Sequence, residues 1–231
     1  WNDFFTRRFK DGQRPVASSD DDKVIVSACE STPYGISRDV QRSDEFWVKS
    51  QSYSLHEMLA GDEAVDAFVG GTLYQAYLSA TNYHRWHSPV AGTVVRAFVV
   101  DGTYYSEADT EGPDAVEPQN SQGYMAHVAT RAVIVIQADD PAIGLVAFVP
   151  VGMSDVSSCK ITAAPGQHLA DATDIGADRV RTQRHFAITH LQAGGHRVQP
   201  DRAAVRQEPR CTAFPRQPLG RHRATHHVHE V

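Results

Sequence analysis

The stretch NYHRWHSPVAGTV, residues 82–94, concentrates residues that can do chemistry. His84 and His87 stand three apart, with Arg85 and Trp86 between them and Ser88-Pro89 behind. Imidazole titrates near neutral pH, so it can take and return a proton within one reaction cycle. On an extended strand, residues three apart point to opposite faces; a bent approach to Pro89 would let both rings reach one pocket. A carboxylate against one ring would orient it and support an acid–base couple. Two other readings stand beside this one. A metal site needs further ligands, and His127, Glu107 and Asp109 offer donor atoms without a recognisable spacing. Histidines packed at the edge of a sheet would do no chemistry.

The elements that must position this motif are mostly strands. KVIVSAC predicts a buried strand, and EFWVKSQSYSLHEMLAG a strand running into a helix that Gly61 ends. A Gly-Gly pair, Gly70 and Gly71, precedes the apolar TLYQAYLSA. YHRWHSPVAGTVVRAFVVDGTYY predicts strand, glycine turn, strand, then a further strand after the Asp-Gly. YMAHVATRAVIVIQA and AIGLVAFVPVG predict paired strands around Asp-Asp-Pro. VSSCKITAAPGQHLADATDIG predicts two short strands about a Pro-Gly turn, and residues 106–122 a polar loop. WNDFFTRRFKDGQRPV, residues 1–16, predicts a short helix with Trp1, Phe4, Phe5 and Phe9 near one face, packed on the domain or laid on a lipid surface. The expected fold is α/β (α+β) and β-rich: an antiparallel sandwich or partial barrel, with helices near the N-terminus and around residues 54–80.

From Asp178 the texture changes. The last stretch holds ten arginines, seven histidines and no lysine, with no sustained period of 2 or 3.6. It predicts a disordered tail over 178–231, or a slipped reading frame, behind a domain over 1–177. The missing final strands would leave open sheet edges.

Bulk numbers narrow the partners. A net charge of −6 and a pI near 6.0 argue against nucleic-acid binding driven by charge. Cys29, Cys159 and Cys211 match neither metal spacing nor an even disulfide framework, so a reducing compartment is expected. The longest apolar runs are strand-length, and the N-terminus carries charges where a signal peptide would be apolar. The expected location is cytoplasmic or peripheral to a membrane. The chain starts at Trp1 rather than Met, which predicts a fragment or a processed chain.

Taken in order, WNDFFTRRFKDGQRPV, VIVSACESTPYG, FVGGTLYQAYLSATNYHRWHSPVAGTV and VSSCKITAAPGQHLADATDIG resemble the phosphatidylserine decarboxylase family. The resemblance is closest to the fungal-type branch that includes decarboxylases of aromatic amino acids such as tryptophan. It runs from residue 1 to about 177. It implies a carboxy-lyase acting on phosphatidylserine in phospholipid biosynthesis, or on a free amino acid. It also implies a proenzyme that cuts itself at a Gly-Ser bond and turns the serine into a covalent pyruvoyl group. That carbonyl serves as the electron sink that no ordinary side chain provides. By the same resemblance His87 matches the base in self-cleavage, His84 the histidine linked to decarboxylation, and Glu30, in SACES, the acid that orients His87. Gly70 and Gly71 match a glycine pair that sets backbone geometry, Pro89 closes the motif, and Lys49 matches a lysine without an assigned role.

The resemblance stops before the cleavage site. No serine follows Ser158; Ser157 and Ser158 lie upstream of the PGQH turn; Cys211 and Thr189 lack the glycine context. The expectation is that the polypeptide neither cleaves itself nor decarboxylates. Two alternatives remain: an inert amine-binding pseudoenzyme, and a lipoyl- or biotin-carrier-like module, which HSPVAGTV and PGQHLADATDIG resemble although no modifiable lysine lies between them.

Overall fold

The computed structural model describes residues 2–10, 13, 15–16, 21–43, 46–48, 51–106, 122–153, 156–179 and 186–192. These residues fall in one unit, Trp1–Val198. In chain order the elements are α1 (Asn2–Phe5), β1 (Thr32–Arg38), β2 (Phe46–Val48), β3 (Gln51–Tyr53) and α2 (Leu55–Met58). A 3-10 helix (Glu63–Phe68) precedes β4 (Thr72–Leu78), β5 (Arg85–His87), β6 (Gly92–Val100) and α3 (Gln122–Val128). Then come β7 (Arg131–Ala138), β8 (Leu145–Val151), β9 (Ser158–Ile161), β10 (His168–Leu169), β11 (Asp174–Arg179) and β12 (Phe186–Gln192).

β7 explains the layering. Its residues RAVIVIQA are buried on both faces, as a strand without polar alternation must be. Val133 and Val135 join α2, the 3-10 helix and α3 in one core with Leu55, Met58, Phe68 and Met125. Ala132, Ile134 and Ile136 face the other way, into a core with Trp86, Phe148 and Ile175. β7 therefore sits in a seven-stranded antiparallel sheet, ordered β1-β4-β12-β8-β7-β6-β10, with helices on one side. On the other lies a three-stranded sheet ordered β5-β11-β9. Trp86 of β5 meets Phe148 of β8 edge-on at 6.0 Å between ring centroids, and this contact joins the two sheets. Gly176 makes room for it: a Cβ there would stand 2.5 Å from the Trp86 ring. The antiparallel, strand-rich class expected from sequence is what forms.

Several local expectations fall. The N-terminal helix is a single turn, Asn2–Phe5, because the chain then runs on to place Phe9 against Tyr83. KVIVSAC joins no ladder; it lies alongside residues 87–89, with Val26 N–H donating to the Pro89 carbonyl and Ala28 accepting from His87 N–H. The helical region ends at Phe68, and residues 72–78 form β4, where Leu73 and Gln75 are buried from one face and Ala76 and Leu78 from the other. Gly70, at φ +80°, makes the turn between them. YMAHVA is the helix α3, so the strand reading holds only from Arg131. Among the described residues, the Asp-Gly at 101–102 is followed by an isolated bridge, Thr103 to Ala129.

The region read as a structureless tail is strand where it is described. β11 runs to Arg179 and pairs with β5 and β9. β12 pairs with β4 on one side and β8 on the other, so it joins the two halves of the large sheet. Main-chain pairing needs only free N–H and C=O groups, and FAITHLQ contains no proline to interrupt it. Residues 180–185 and 193–231, with Cys211, lie outside the described residues, as do Lys49, Glu107 and Asp109.

Candidate active site

The corner that holds the two histidines is built from a turn, a short strand and two bordering segments. Asn82 N–H closes a turn onto the Ser79 carbonyl, which swings Tyr83 and His84 back toward β5. His84 is fully buried. Its Nε2–H donates to the Ala80 carbonyl at 3.2 Å, and the Phe5 ring lies 4.9 Å away, tilted by 60°. Burial lowers its pKa to about 4, against the opposing pull of the Ala80 and Ser79 carbonyls; nearby Arg7 lowers it a little further. His84 is thus a neutral imidazole at physiological pH.

His87 is less deeply placed, and both of its ring nitrogens are engaged. Nδ1 lies 2.8 Å from the Ala172 carbonyl and Nε2 3.1 Å from the Tyr83 hydroxyl, with the Tyr83 ring stacked on the imidazole at 5.6 Å. A carbonyl only accepts, so Nδ1 carries the hydrogen. In the neutral ring Nε2 is then the acceptor and Tyr83 O–H the donor. Ala172 has φ +53°, a left-handed backbone that alanine rarely adopts, and this aims its carbonyl at the imidazole.

Glu30 lies beside this group and does not touch the His87 ring. Its carboxylate accepts from Tyr83 N–H at 3.1 Å, and its carbonyl accepts from Asn82 Nδ2 at 2.9 Å. The His87 ring partners are Ala172 and Tyr83. The reason is register: Ala28 pairs with the His87 backbone, so Glu30, two residues on, falls beside the 82–83 turn. In this structure Glu30 reaches the His87 corner through the Tyr83 backbone.

An ion pair that the sequence reading missed locks the corner. Arg85, 8% exposed, donates through Nε to Asp174 Oδ2 at 2.6 Å and through a second nitrogen to the same oxygen, while its third nitrogen holds the Thr6 carbonyl. Arg8 approaches Asp174 at 3.6 Å. The N-terminal segment is tied across both histidines: Phe5 covers His84, and Phe9 covers Tyr83 at 4.7 Å. The signal was the motif's own Arg85, read only as a spacer.

Of the other sequence candidates, His127 lies in the opposite core, where its Nε2 accepts from Ser54 N–H at 2.9 Å. Among the described residues no group of three or more His, Cys, Asp or Glu is arranged to hold a metal. Gly70 and Gly71 form the turn into β4, and Pro89 lends its carbonyl to Val26. Among the described residues no helix is long and apolar enough to cross a membrane.

The covalent carbonyl implied by the resemblance would come from a chain serine. Ser88 adjoins His87, but its hydroxyl donates to the Val90 carbonyl at 2.7 Å. Ser158 pairs with Arg179 of β11, whereas His87 pairs with Asp174. Five residues of strand separate those positions, about 17 Å at the usual rise. No serine follows Ser158 in the sequence. Neither Ser88 nor Ser158 is positioned to fit as the precursor of an electron sink beside His87.

The phosphatidylserine decarboxylase family model matches residues 1–177. Decarboxylase iboD of Amanita muscaria is 43% identical over 192 residues, covering 76% of this chain and 54% of its own length. L-tryptophan decarboxylase of Psilocybe cubensis is 38% identical over 188 residues, covering 76% of this chain and 43% of its own length. Phosphatidylserine decarboxylase proenzyme 3 of Schizosaccharomyces pombe is 27% identical over 176 residues, covering 76% of this chain and 17% of its own length. The chain spans about half the length of the first two relatives.

Proposed function

This chain belongs to the phosphatidylserine decarboxylase family, and we propose that it carries the proton-handling corner of such a decarboxylase without building the covalent carbonyl that completes it. Family members are decarboxylases, and in them a pyruvoyl group withdraws electrons from the substrate carbon as carbon dioxide leaves. In this chain His87 is the base. Its Nδ1 is anchored on the Ala172 carbonyl, which leaves Nε2 as the basic nitrogen. His84, neutral by burial, is suited to hold a substrate group without adding charge to the corner. Glu30 acts one step back, by fixing the 82–83 turn.

The ligand is an amine-bearing carboxylate: a free amino acid, as the names of the fungal relatives suggest, or phosphatidylserine. The observation that carries the reading is the histidine corner: His87 Nδ1 anchored on the Ala172 carbonyl, with buried His84 three residues before it. Groups that act as a unit lose nearly all activity when one is missing. Intact mass spectrometry of the purified 231-residue chain tests it. One full-length mass is expected; two fragments, the smaller opening on a pyruvoyl group, would overturn it.

A further inference from the structure

The basic nitrogen of His87 faces a phenol rather than open space. Nε2 is 3.1 Å from the Tyr83 hydroxyl, and the two rings are stacked, so any group approaching Nε2 meets Tyr83 first. Tyr83 is itself held at both ends. Its backbone N–H is bound by Glu30, and its ring is covered by Phe9. We propose that Tyr83 is the residue through which His87 exchanges its proton, a relay placed by Glu30 and the N-terminal segment. This rests on the reading of His87 as a base and adds the route by which its proton travels.

The step balances without any outside reagent. As the ammonium of an amine-bearing ligand passes a proton to the Tyr83 oxygen, the phenol's own proton passes to His87 Nε2. The products are a neutral amine, an intact phenol and an imidazolium whose Nδ1–H stays on Ala172. A phenol suits this role because its oxygen both donates and accepts. It must also stay protonated. Burial raises the Tyr83 pKa, with Asp174 adding to the rise; Arg85, Arg8 and Arg7 oppose it. The charged groups bordering the corner are Asp174 on β11, across from His87, Arg85 on β5, Arg7 and Arg8 on the N-terminal segment, and Glu30 beside the turn.

The test is NMR of the full chain with ¹⁵N-labelled histidine, following His87 through a pH titration. The wild-type ring should titrate from the Nδ1–H tautomer with Nε2 hydrogen-bonded. Tyr83→Phe should move the neutral Nε2 resonance downfield, toward that of a nitrogen with no donor. Replacing Tyr83 by 3,5-difluorotyrosine keeps the shape and carries the test if the phenylalanine variant fails to fold. The more acidic phenol, while protonated, donates better to neutral Nε2, so the Nε2 resonance should move upfield of wild type. Tyrosine acting only by packing would leave that resonance in place. An unmoved Nε2 resonance with difluorotyrosine, or a wild-type ring in the Nε2–H tautomer, would overturn the relay. Neither result depends on whether the chain cleaves itself, so a failure here is distinct from a failure of the family reading.

Discussion

Histidines occupy two corners of this molecule, half-buried His127 at one and buried His84 with half-buried His87 at the other, and their partners differ. At the α2–α3 corner, His127 accepts from the Ser54 backbone, and burial lowers its pKa. Beside it Arg131 spends its guanidinium on the carbonyls of Met58, Ala129 and Glu57. Every partner named there is main chain, fixed by the fold. At the β5 corner, His84 is buried, and His87 has a side-chain hydroxyl as one of its two partners. A backbone group can hold a proton in place; a hydroxyl can also pass one on. Residue type is shared; the feature that marks the β5 corner is the phenol hydroxyl on His87 Nε2.

The largest effect expected at either corner comes from packing. Trp86→Ala should cost about 4 kcal/mol in urea denaturation, by opening a cavity between the two sheets. Acid comes next. His84 has a folded pKa near 4, below its unfolded value of 6.5. Its contribution to stability is complete above pH 6.5 and is lost as pH falls from there toward 4, on the order of 3 kcal/mol in all. His84→Gln should flatten that slope in urea melts run across the window. His127 contributes in the same sense, since its pKa is also lowered.

Arg131→Met separates the corners. It leaves three carbonyls without their donor and should cost about 3 kcal/mol, while the His87 titration stays where it was. A shifted His87 midpoint would mean the corners are coupled. Ala172→Gly relieves a left-handed alanine and should gain about 1 kcal/mol, at the expense of a looser anchor for His87 Nδ1, read as exchange broadening of its ring resonances. Glu30→Gln keeps a carbonyl oxygen for the Tyr83 N–H and should change stability by less than about 1 kcal/mol.

The parts of this structure legible in sequence were those where one local rule decides. β7 and β8 announce themselves as apolar runs about Asp-Asp-Pro, and YHRWHSP marks the corner proposed here as the site. β4 was misread because Tyr and Leu spaced through TLYQAYL suit a helix as well as a strand; the ladder with β1 and β12 decides it. β12 carried no pattern to read, since its pairing is through backbone on both sides. The sequence does not show which atoms Glu30 meets. Only the pairing of Ala28 with His87 shows that the carboxylate falls on the Tyr83 backbone.

Reductive trapping reports most directly on whether the corner works alone. The purified chain would be incubated with tryptophan or with phosphatidylserine vesicles under cyanoborohydride and then weighed intact. The account predicts a single unmodified 231-residue mass with either amine. An amine adduct on a shortened fragment would contradict it, because it would mean the chain makes its own reactive carbonyl.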